Sequence, residues 1–428
     1  MASLGHDVKV FDIDSAKIEN LASGVPPFYE PGFTSLLQSV LKTGRLAFTD
    51  NAPDAIRGAE MHFVCVGTPQ QTNGEAADLQ FVNAAFRAVL DHADCPGTIV
   101  GKSTVPVGTA QRLAALVAEE PGHPDLQVGW NPEFLSEGTA ITDTMKPSRL
   151  VFGVNSVEAR DALIKVYDKL LKDGVPYVST DFATSEMVKV AANSFLATKI
   201  SFINAMAEIC EVAGADVVTL SRALGYDKRI GAQYLNAGLG FGGGCLPKDI
   251  RAFSTRASEL GVHDAVAFLR DIEKINLRRR ERVVSLISNT LGESLLKKRI
   301  AILGAAFKPG SDDVRDSPAL HVAAALHQRG SSVHIHDPRA IANAKLLLPM
   351  LNYCDTVEDA CADADFVVLA TEWKEYREID PSVLIEIVRE PNIVDARNAL
   401  DYQLWTGAGW QVLALGRTNL QISDSDTN

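Results

Sequence analysis

Hydrophobic positions in this chain follow two rhythms. Short apolar runs bounded by turn residues alternate with amphipathic stretches near both ends of the chain, as they do when helices wrap a parallel sheet. Residues 2–5 read as the end of a helix stopped by Gly5, and VKVF (8–11) reads as a short buried strand running into Asp12 and Asp14. FVCV (63–66) reads as a second strand that ends just ahead of Thr68, and a further apolar run ends in Lys102, Ser103 and Thr104. RIAIL (299–303) leads into a Gly/Pro loop and then a helix over about 318–328. Between these regions the pattern is helical. Residues 185–212 are mostly apolar, so that helix is expected to be buried on most faces; residues 268–290 are amphipathic, with an RRR run at 278–280 that reads as a solvated face. A glycine-rich loop over 236–248 interrupts the helical stretch, and the terminal SDSDTN reads as disorder.

Two segments repeat. LGHDVKVFDID (4–14) resembles QRGSSVHIHDP (328–338), each a helix end, a glycine, a strand and an aspartate; GAEMHFVCVGTP (58–69) resembles DADFVVLATEW (363–373). The predicted fold is therefore α/β, with two Rossmann-like doubly wound domains joined by a central helical region: 1–180, 181–292 and 297–428. The active site is expected between the two α/β domains. By the repeat, a strand and loop like RIAILGAAFKPG (299–310) should precede the first helix, yet the chain starts at Met1. In the doubly wound order 3-2-1-4-5-6 that strand sits mid-sheet, so its two neighbours are expected to be unpaired on one side. Met1 is accordingly expected to be an internal methionine, with the true start upstream.

Composition narrows the function. A length of 428 residues suits two or three domains, and 46% apolar residues suffice for their cores. A net charge of −13 argues against a nucleic-acid or anionic-membrane surface. No apolar run is long enough to span a membrane, and the start carries no signal-peptide pattern. The six cysteines are scattered without a CxxC pair, which speaks for a reduced, cytoplasmic protein with no disulfide framework and no metal site.

Candidate chemistry concentrates in a few places. Asp12, at the tip of its strand, is placed like the acid that holds the adenosine ribose in dinucleotide-binding folds. GLGFGGGCLPKDIRAF (238–253) has four glycines in five positions, which let a backbone approach a ligand, and then Cys245 at a loop-to-helix junction near Lys248. A helix N-terminus and a nearby lysine both lower a thiol pKa. On helix 185–206, Glu186, Lys189, Asn193 and Asn204 share one side, and Lys189 with Asn193 forms a donor pair able to stabilise an oxyanion. Glu133 and Glu137 lie four apart in NPEFLSEG. Thr68 and Thr104 follow strands whose carboxyl ends face the ligand crevice in an open parallel sheet. VPPFYEPGF (25–33) is a rigid loop suited to cofactor contact.

FYEPG, VCVGTP, KSTVPVGT, NPEFLSEG, KVAANSFLATKISFINAMAEIC, GFGGGCLPKDI and AFKPGSDDVRDSPA occur in this order. Together they resemble the UDP-glucose/GDP-mannose dehydrogenase family, over residues 4 to about 416. NPEFLSEG with PSRLVFG, and RIG sixteen residues ahead of the cysteine, point to its UDP-glucose branch. The resemblance implies NAD-linked, four-electron oxidation of UDP-glucose to UDP-glucuronate by a homodimer. It implies that Cys245 is the nucleophile of a thiohemiacetal and thioester, that Lys189 and Asn193 stabilise the oxyanion, and that Asp249 and Thr104 manage water and proton. Glu133 matches the base for thioester hydrolysis. Asp12, Lys17, Thr68, Thr104, Glu137 and Arg315 match cofactor contacts. Arg229 matches an arginine that reaches the substrate from the partner subunit, and Tyr234, Asn236, Gly242, Lys308 and Arg397 match UDP-sugar contacts.

The family's first strand and glycine loop are the point of departure, and without them NAD binding is expected to be weak. The sequence is also compatible with a dehydrogenase for GDP-mannose or a UDP-HexNAc, and with a catalytically silent nucleotide-sugar-binding paralogue. A 3-hydroxyacid dehydrogenase shares the Lys/Asn pair but lacks the Cys245 loop and the second α/β domain.

Overall fold

In a computed structural model, which describes residues 1–292 and 294–418, the chain divides into two units. One comprises Met1–Asn193 with Lys248–Asp264, the other Ser194–Pro247 with Ala265–Asn428. The terminal SDSDTN lies outside the described residues. No helix among the described residues is long and apolar enough to cross a membrane.

The first unit carries strands β1 (Val8–Phe11), β2 (Leu46–Thr49), β3 (Met61–Val64), β4 (Gly97–Gly101), β5 (Leu126–Trp130), β6 (Leu150–Val154) and β7 (Tyr177–Thr180). A 3-10 turn over Ala2–Leu4 ends at Gly5 with φ of 105°, the left-handed stop the sequence predicts. β1 pairs in parallel with β2 alone, and β3 starts a separate sheet in the order β3-β4-β5-β6-β7. Among the described residues β1 and β3 each have one partner strand, so the sheet is interrupted between them. All pairs in the longer sheet are parallel except β5 with β6. Its core holds Phe86, Ile99, Leu113 and Trp130, with the Phe86 and Trp130 rings stacked at 6.4 Å between centroids. Gly101 lies opposite Trp130 in the β4–β5 register, and a Cβ there would come within 2.2 Å of the indole.

The second unit contains β8 (Arg299–Leu303), β9 (Ser332–His336), β10 (Asn352–Tyr353), β11 (Phe366–Leu369), β12 (Asn392–Asp395) and β13 (Gln411–Ala414). They form one parallel sheet in the order β10-β9-β8-β11-β12-β13, the 3-2-1-4-5-6 arrangement. β8 and β11, at its centre, are buried at every residue but Arg299 and apolar at those positions, the pattern of central strands in a parallel sheet.

One expectation about the helices fails. The long helix Phe182–Ala213 is buried or half-buried over most of its surface, as expected, and carries one uncovered apolar stripe, on which Phe195, Phe202 and Ile209 are 66%, 46% and 58% exposed, seven residues apart. The RRR run, by contrast, is not a solvated face. Successive residues on a helix point about 100° apart, so three in a row cannot share a direction. Arg279 of helix Phe268–Leu291 is fully buried against Glu211 (3.3 Å) and Glu208 (3.7 Å) of the long helix, and Arg280 is also buried.

Gly101→Ala should displace Trp130 and lower stability by about 1–3 kcal/mol, the usual effect of overpacking a filled core. Urea unfolding followed by far-UV circular dichroism measures this; an unchanged midpoint would show that the strand pair relaxes around the methyl.

Candidate active site

In the first unit the carboxyl ends of β3 and β4 place Thr68 and Thr104 side by side. Thr68 Oγ1 donates to the Thr104 carbonyl at 2.8 Å. Lys248, in the first turn of helix Leu246–Glu259, donates from Nζ to Thr68 Oγ1 at 3.2 Å and ion-pairs with Asp249 at 2.9 Å. Asn193 Nδ2 donates to Asp249 Oδ2 at 2.6 Å, and both residues are buried. Asn193, Asp249, Thr68 and Thr104, predicted from separate segments, thus belong to one network. Lys248, which the sequence suggested only as a neighbour of the thiol, connects it. Buried polar groups keep a fixed geometry only when they partner one another in this way.

A second cluster surrounds Glu133. Its Oε1 accepts from the backbone N–H groups of Phe134 (2.7 Å) and Leu135 (3.0 Å), and Oε2 lies 3.2 Å from Lys102 Nζ. Burial pushes the Glu133 pKa up, but the Lys102 ammonium and these two N–H groups outweigh it and hold the carboxyl below its ordinary range. Lys102 also donates to Asn131 Oδ1 at 3.1 Å, where the Tyr167 hydroxyl donates at 2.6 Å. The ring of Phe134 carries Arg149 at 3.9 Å and Lys189 Nζ at 5.6 Å from its centroid, which brings Lys189 to the Glu133 loop. Glu30, from the FYEPG segment, accepts from the N–H groups of Gly138 and Ala140, both at 2.7 Å, and so anchors the stretch just after Glu137. Sequence reasoning missed Lys102, Asn131 and Glu30; the position of Lys102 in the KSTVPVGT segment was the available signal.

Glu186 does not join Lys189 and Asn193. Its carboxylate accepts from Gly108 N and Ala110 N, each at 2.7 Å, and caps helix Thr109–Glu119 directly after the Thr104 loop. At the end of β1, Asp12 pairs with Lys17 at 2.5 Å. Burial raises the Asp12 pKa, but Lys17 and the Asp14 N–H more than reverse that and leave it lowered. In the second unit the corresponding acid, Asp337, is committed to its own fold. It accepts from the N–H groups of Ala305, Ala306, Arg339 and Ala340, and from the Trp373 indole.

The glycine loop lies in the second unit. Cys245 is exposed and immediately precedes helix Leu246–Glu259. Gly242 and Gly244 have no room for a Cβ: it would meet the Asp316 carbonyl at 2.4 Å in the first case and the Arg315 guanidinium at 2.3 Å in the second. Arg315 is thereby beside the residue that precedes the cysteine, its fork held by Asp313. Arg397 spends its guanidinium on the carbonyls of Ala370 (2.7 Å), Gly240 (3.2 Å) and Phe307 (3.1 Å). Lys308 Nζ lies 5.6 Å from the Phe307 ring centroid. Tyr234, with φ of 65°, and Asn236 are exposed, as is Arg229, which pairs with Asp227 at 2.6 Å.

Residues 1–171 match the sequence profile of the UDP-glucose/GDP-mannose dehydrogenase family's NAD binding domain, residues 183–278 that of its central domain and residues 301–402 that of its UDP binding domain. A UDP-glucose 6-dehydrogenase of Rickettsia felis is 40% identical over 97% of this chain and 92% of its own length. One from Rhizobium meliloti is 38% identical over 97% of this chain and 95% of its own. A solved UDP-glucose dehydrogenase from the archaeon Pyrobaculum islandicum superposes with a TM-score of 0.89 at 35% identity, covering 97% of this chain and 94% of that one.

Glu186 yields a pH prediction. Burial raises its pKa to about 7, although the Ala110 and Gly108 N–H groups and Arg256 pull the other way. A folded pKa above the unfolded one means that this group's stabilisation is complete below the unfolded value and is lost as pH rises through about 7. The stability of wild type relative to Glu186→Gln, which does not titrate, should fall by on the order of 2–3 kcal/mol between pH 5 and pH 8. Urea melts at both pH values test this, and a constant difference would show the carboxylate ionised throughout.

Proposed function

The chain belongs to the UDP-glucose/GDP-mannose dehydrogenase family, and from that premise we propose that it oxidises UDP-glucose to UDP-glucuronate with two NAD+, through a covalent intermediate on Cys245. The observation that carries the reading is the network of Asn193, Asp249, Lys248, Thr68 and Thr104, of which Lys248 and Asp249 lie in the first turn of the helix that begins at the residue after Cys245. The names of the Rickettsia felis and Rhizobium meliloti relatives support the substrate.

The residues present fit NAD in the first unit. Asp12, at the carboxyl end of β1 and steadied by Lys17, suits ribose hydroxyls, and Thr68 and Thr104 occupy the carboxyl edge of parallel strands. Asp337, the matching acid in the second unit, is already saturated by its own fold, which favours the first unit as the dinucleotide site. NAD, when bound, supplies the hydride acceptor for each of the two oxidations. Glu137 and Arg315 are further cofactor contacts in this reading.

The protein's own residues do the rest. After the alcohol becomes an aldehyde, Cys245 Sγ adds to its carbon and the oxygen takes up a proton, which gives a thiohemiacetal. Loss of hydride from that carbon and of the hydroxyl proton gives a thioester. Water then cleaves the C–S bond, freeing the carboxylate and the thiol. Lys189 and Asn193 stabilise the oxyanion, Asp249 and Thr104 hold the water and its proton, and Glu133, kept ionised by Lys102, serves as the base. The sugar nucleotide is held by Tyr234, Asn236, Gly242, Lys308 and Arg397, with Arg229 contributed by a partner subunit. The work divides among 1–180 for NAD, 181–292 for the cysteine loop and 297–428 for the UDP-sugar. The exposed stripe of Phe195, Phe202 and Ile209 supports a homodimer packed on the long helix. Six free cysteines support a reducing, cytoplasmic setting.

Cys245→Ser should lower turnover of UDP-glucose by a factor of ~10⁴ or more, the scale seen when a covalent nucleophile is lost, with little change in UDP-glucose binding. Intact-mass analysis should find a substrate-derived ester on the serine. Near-normal turnover by this variant would show that the second oxidation passes through a hydrated aldehyde instead. In the same assays wild type should favour UDP-glucose over GDP-mannose and UDP-HexNAc. It should also favour NAD+ over NADP+, because Asp12 repels a 2′-phosphate.

A further inference from the structure

The glycine loop has few side chains of its own with which to keep its shape. Its backbone is held from several elements, and at Phe241 it is held from helix Phe268–Leu291. Asn276 is 2% exposed. Its Oδ1 accepts from Phe241 N at 2.7 Å, and its Nδ2 donates to Phe241 O at 3.0 Å, so one side chain satisfies both polar groups of a single loop residue. One helical turn on, Arg280 donates from Nη2 to the same carbonyl at 3.1 Å and reaches toward the Asp316 carbonyl at 3.5 Å. Gly240 has φ of +88°, and a Cβ there would lie 2.1 Å from Asn276 Oδ1, so the glycine is required by this contact as well as by its conformation. Next in the loop, Gly243 N donates to Arg315 O at 2.9 Å. Asn276 and Arg280 thus fix the segment that ends, four residues after Phe241, in Cys245.

We propose that Asn276 and Arg280 are positioning residues for Cys245, acting through the backbone of Phe241 rather than by contact with substrate. The proposal rests on the reading of Cys245 as the nucleophile. Phe241 is only four residues from Cys245, so displacement at the anchored point is carried to the thiol, and a misplacement of about 1 Å lowers a rate roughly 100-fold. A side chain that merely stabilised the fold would loosen the whole second unit instead.

The test combines hydrogen exchange with kinetics on the full chain. In Asn276→Ala, amide exchange over residues 238–245 should rise roughly 10- to 100-fold, as expected for two lost hydrogen bonds, while exchange in β8 and β11 stays as in wild type. Asn276→Asp, which keeps the acceptor for Phe241 N and loses the donor, should lie between the two, and it carries the test if the alanine variant fails to fold. With UDP-glucose and NAD+, kcat should fall roughly 100-fold in Asn276→Ala with KM nearly unchanged, and Asp should restore part of it. Loop exchange equal to wild type, or a rise spread evenly over the second unit, overturns the proposal. So does a loosened loop with wild-type kcat. A local rise in loop exchange in a protein whose wild type oxidises no UDP-glucose would instead support the clamp and remove the functional reading.

Discussion

A loop built from glycine can approach a ligand closely, but it must borrow its shape, and much of the second unit is arranged to lend it. Between Ala237 and Gly243 the backbone is engaged by Asn204, Asn276, Arg280, Arg397 and Asn398 and by the carbonyls of Ala396 and Arg315. The anchors come from four parts of the chain, so the shape of the loop depends on the long helix, helix Phe268–Leu291 and the segments after β8 and β12 together. This requirement accounts for the burial of Arg280 in a helix interface, while its neighbour Arg279 is held there by acids. The burial of Arg279 is compensated by Glu208 and Glu211, and that of Arg280 by loop carbonyls. A buried guanidinium without such partners would be strongly unfavourable.

The first unit solves the related problem of keeping reactive polar groups buried and ready. Lys248 sits between Asp249 and Thr68, and Lys102 sits between Glu133 and Asn131. Each lysine neutralises an acid and at the same time fixes its direction. Glu186 and Glu30 perform a different task, since each gives both oxygens to backbone N–H groups and so holds a loop that carries candidate site residues. Carboxylates that look alike in the sequence therefore divide into groups with open chemistry and groups consumed by architecture.

The same division separates the two halves of the repeat. Asp12 and Asp337 end equivalent strands. Asp12 accepts from Lys17 and the Asp14 N–H and stays partly open, whereas five donors close around Asp337. A shared topology thus leaves one ribose-type acid available and turns the other into a brace.

The sequence by itself determined the α/β class, the repeat and the positions of strands such as Val8–Phe11 and Arg299–Leu303, and it singled out Cys245, Asn193, Asp249, Thr68 and Thr104 as candidates. Those features are written in local periodicity, in turn chemistry and in short motifs, which survive when the chain is read one segment at a time. It could not determine which face of a helix is covered. The uncovered stripe of Phe195, Phe202 and Ile209 is not set apart from its apolar neighbours by the sequence, and the RRR run read as surface, because burial depends on the partner brought up by the fold. Nor could it distinguish Glu186 from Lys189 and Asn193, since helical spacing places side chains on a side but does not say what waits there. Lys248 as a connector, Glu30 as an anchor and Asn276 as a clamp were decided by tertiary structure alone, because each acts on groups more than thirty residues away in the chain. A hydrogen bond to a distant backbone atom leaves no periodic trace in the sequence.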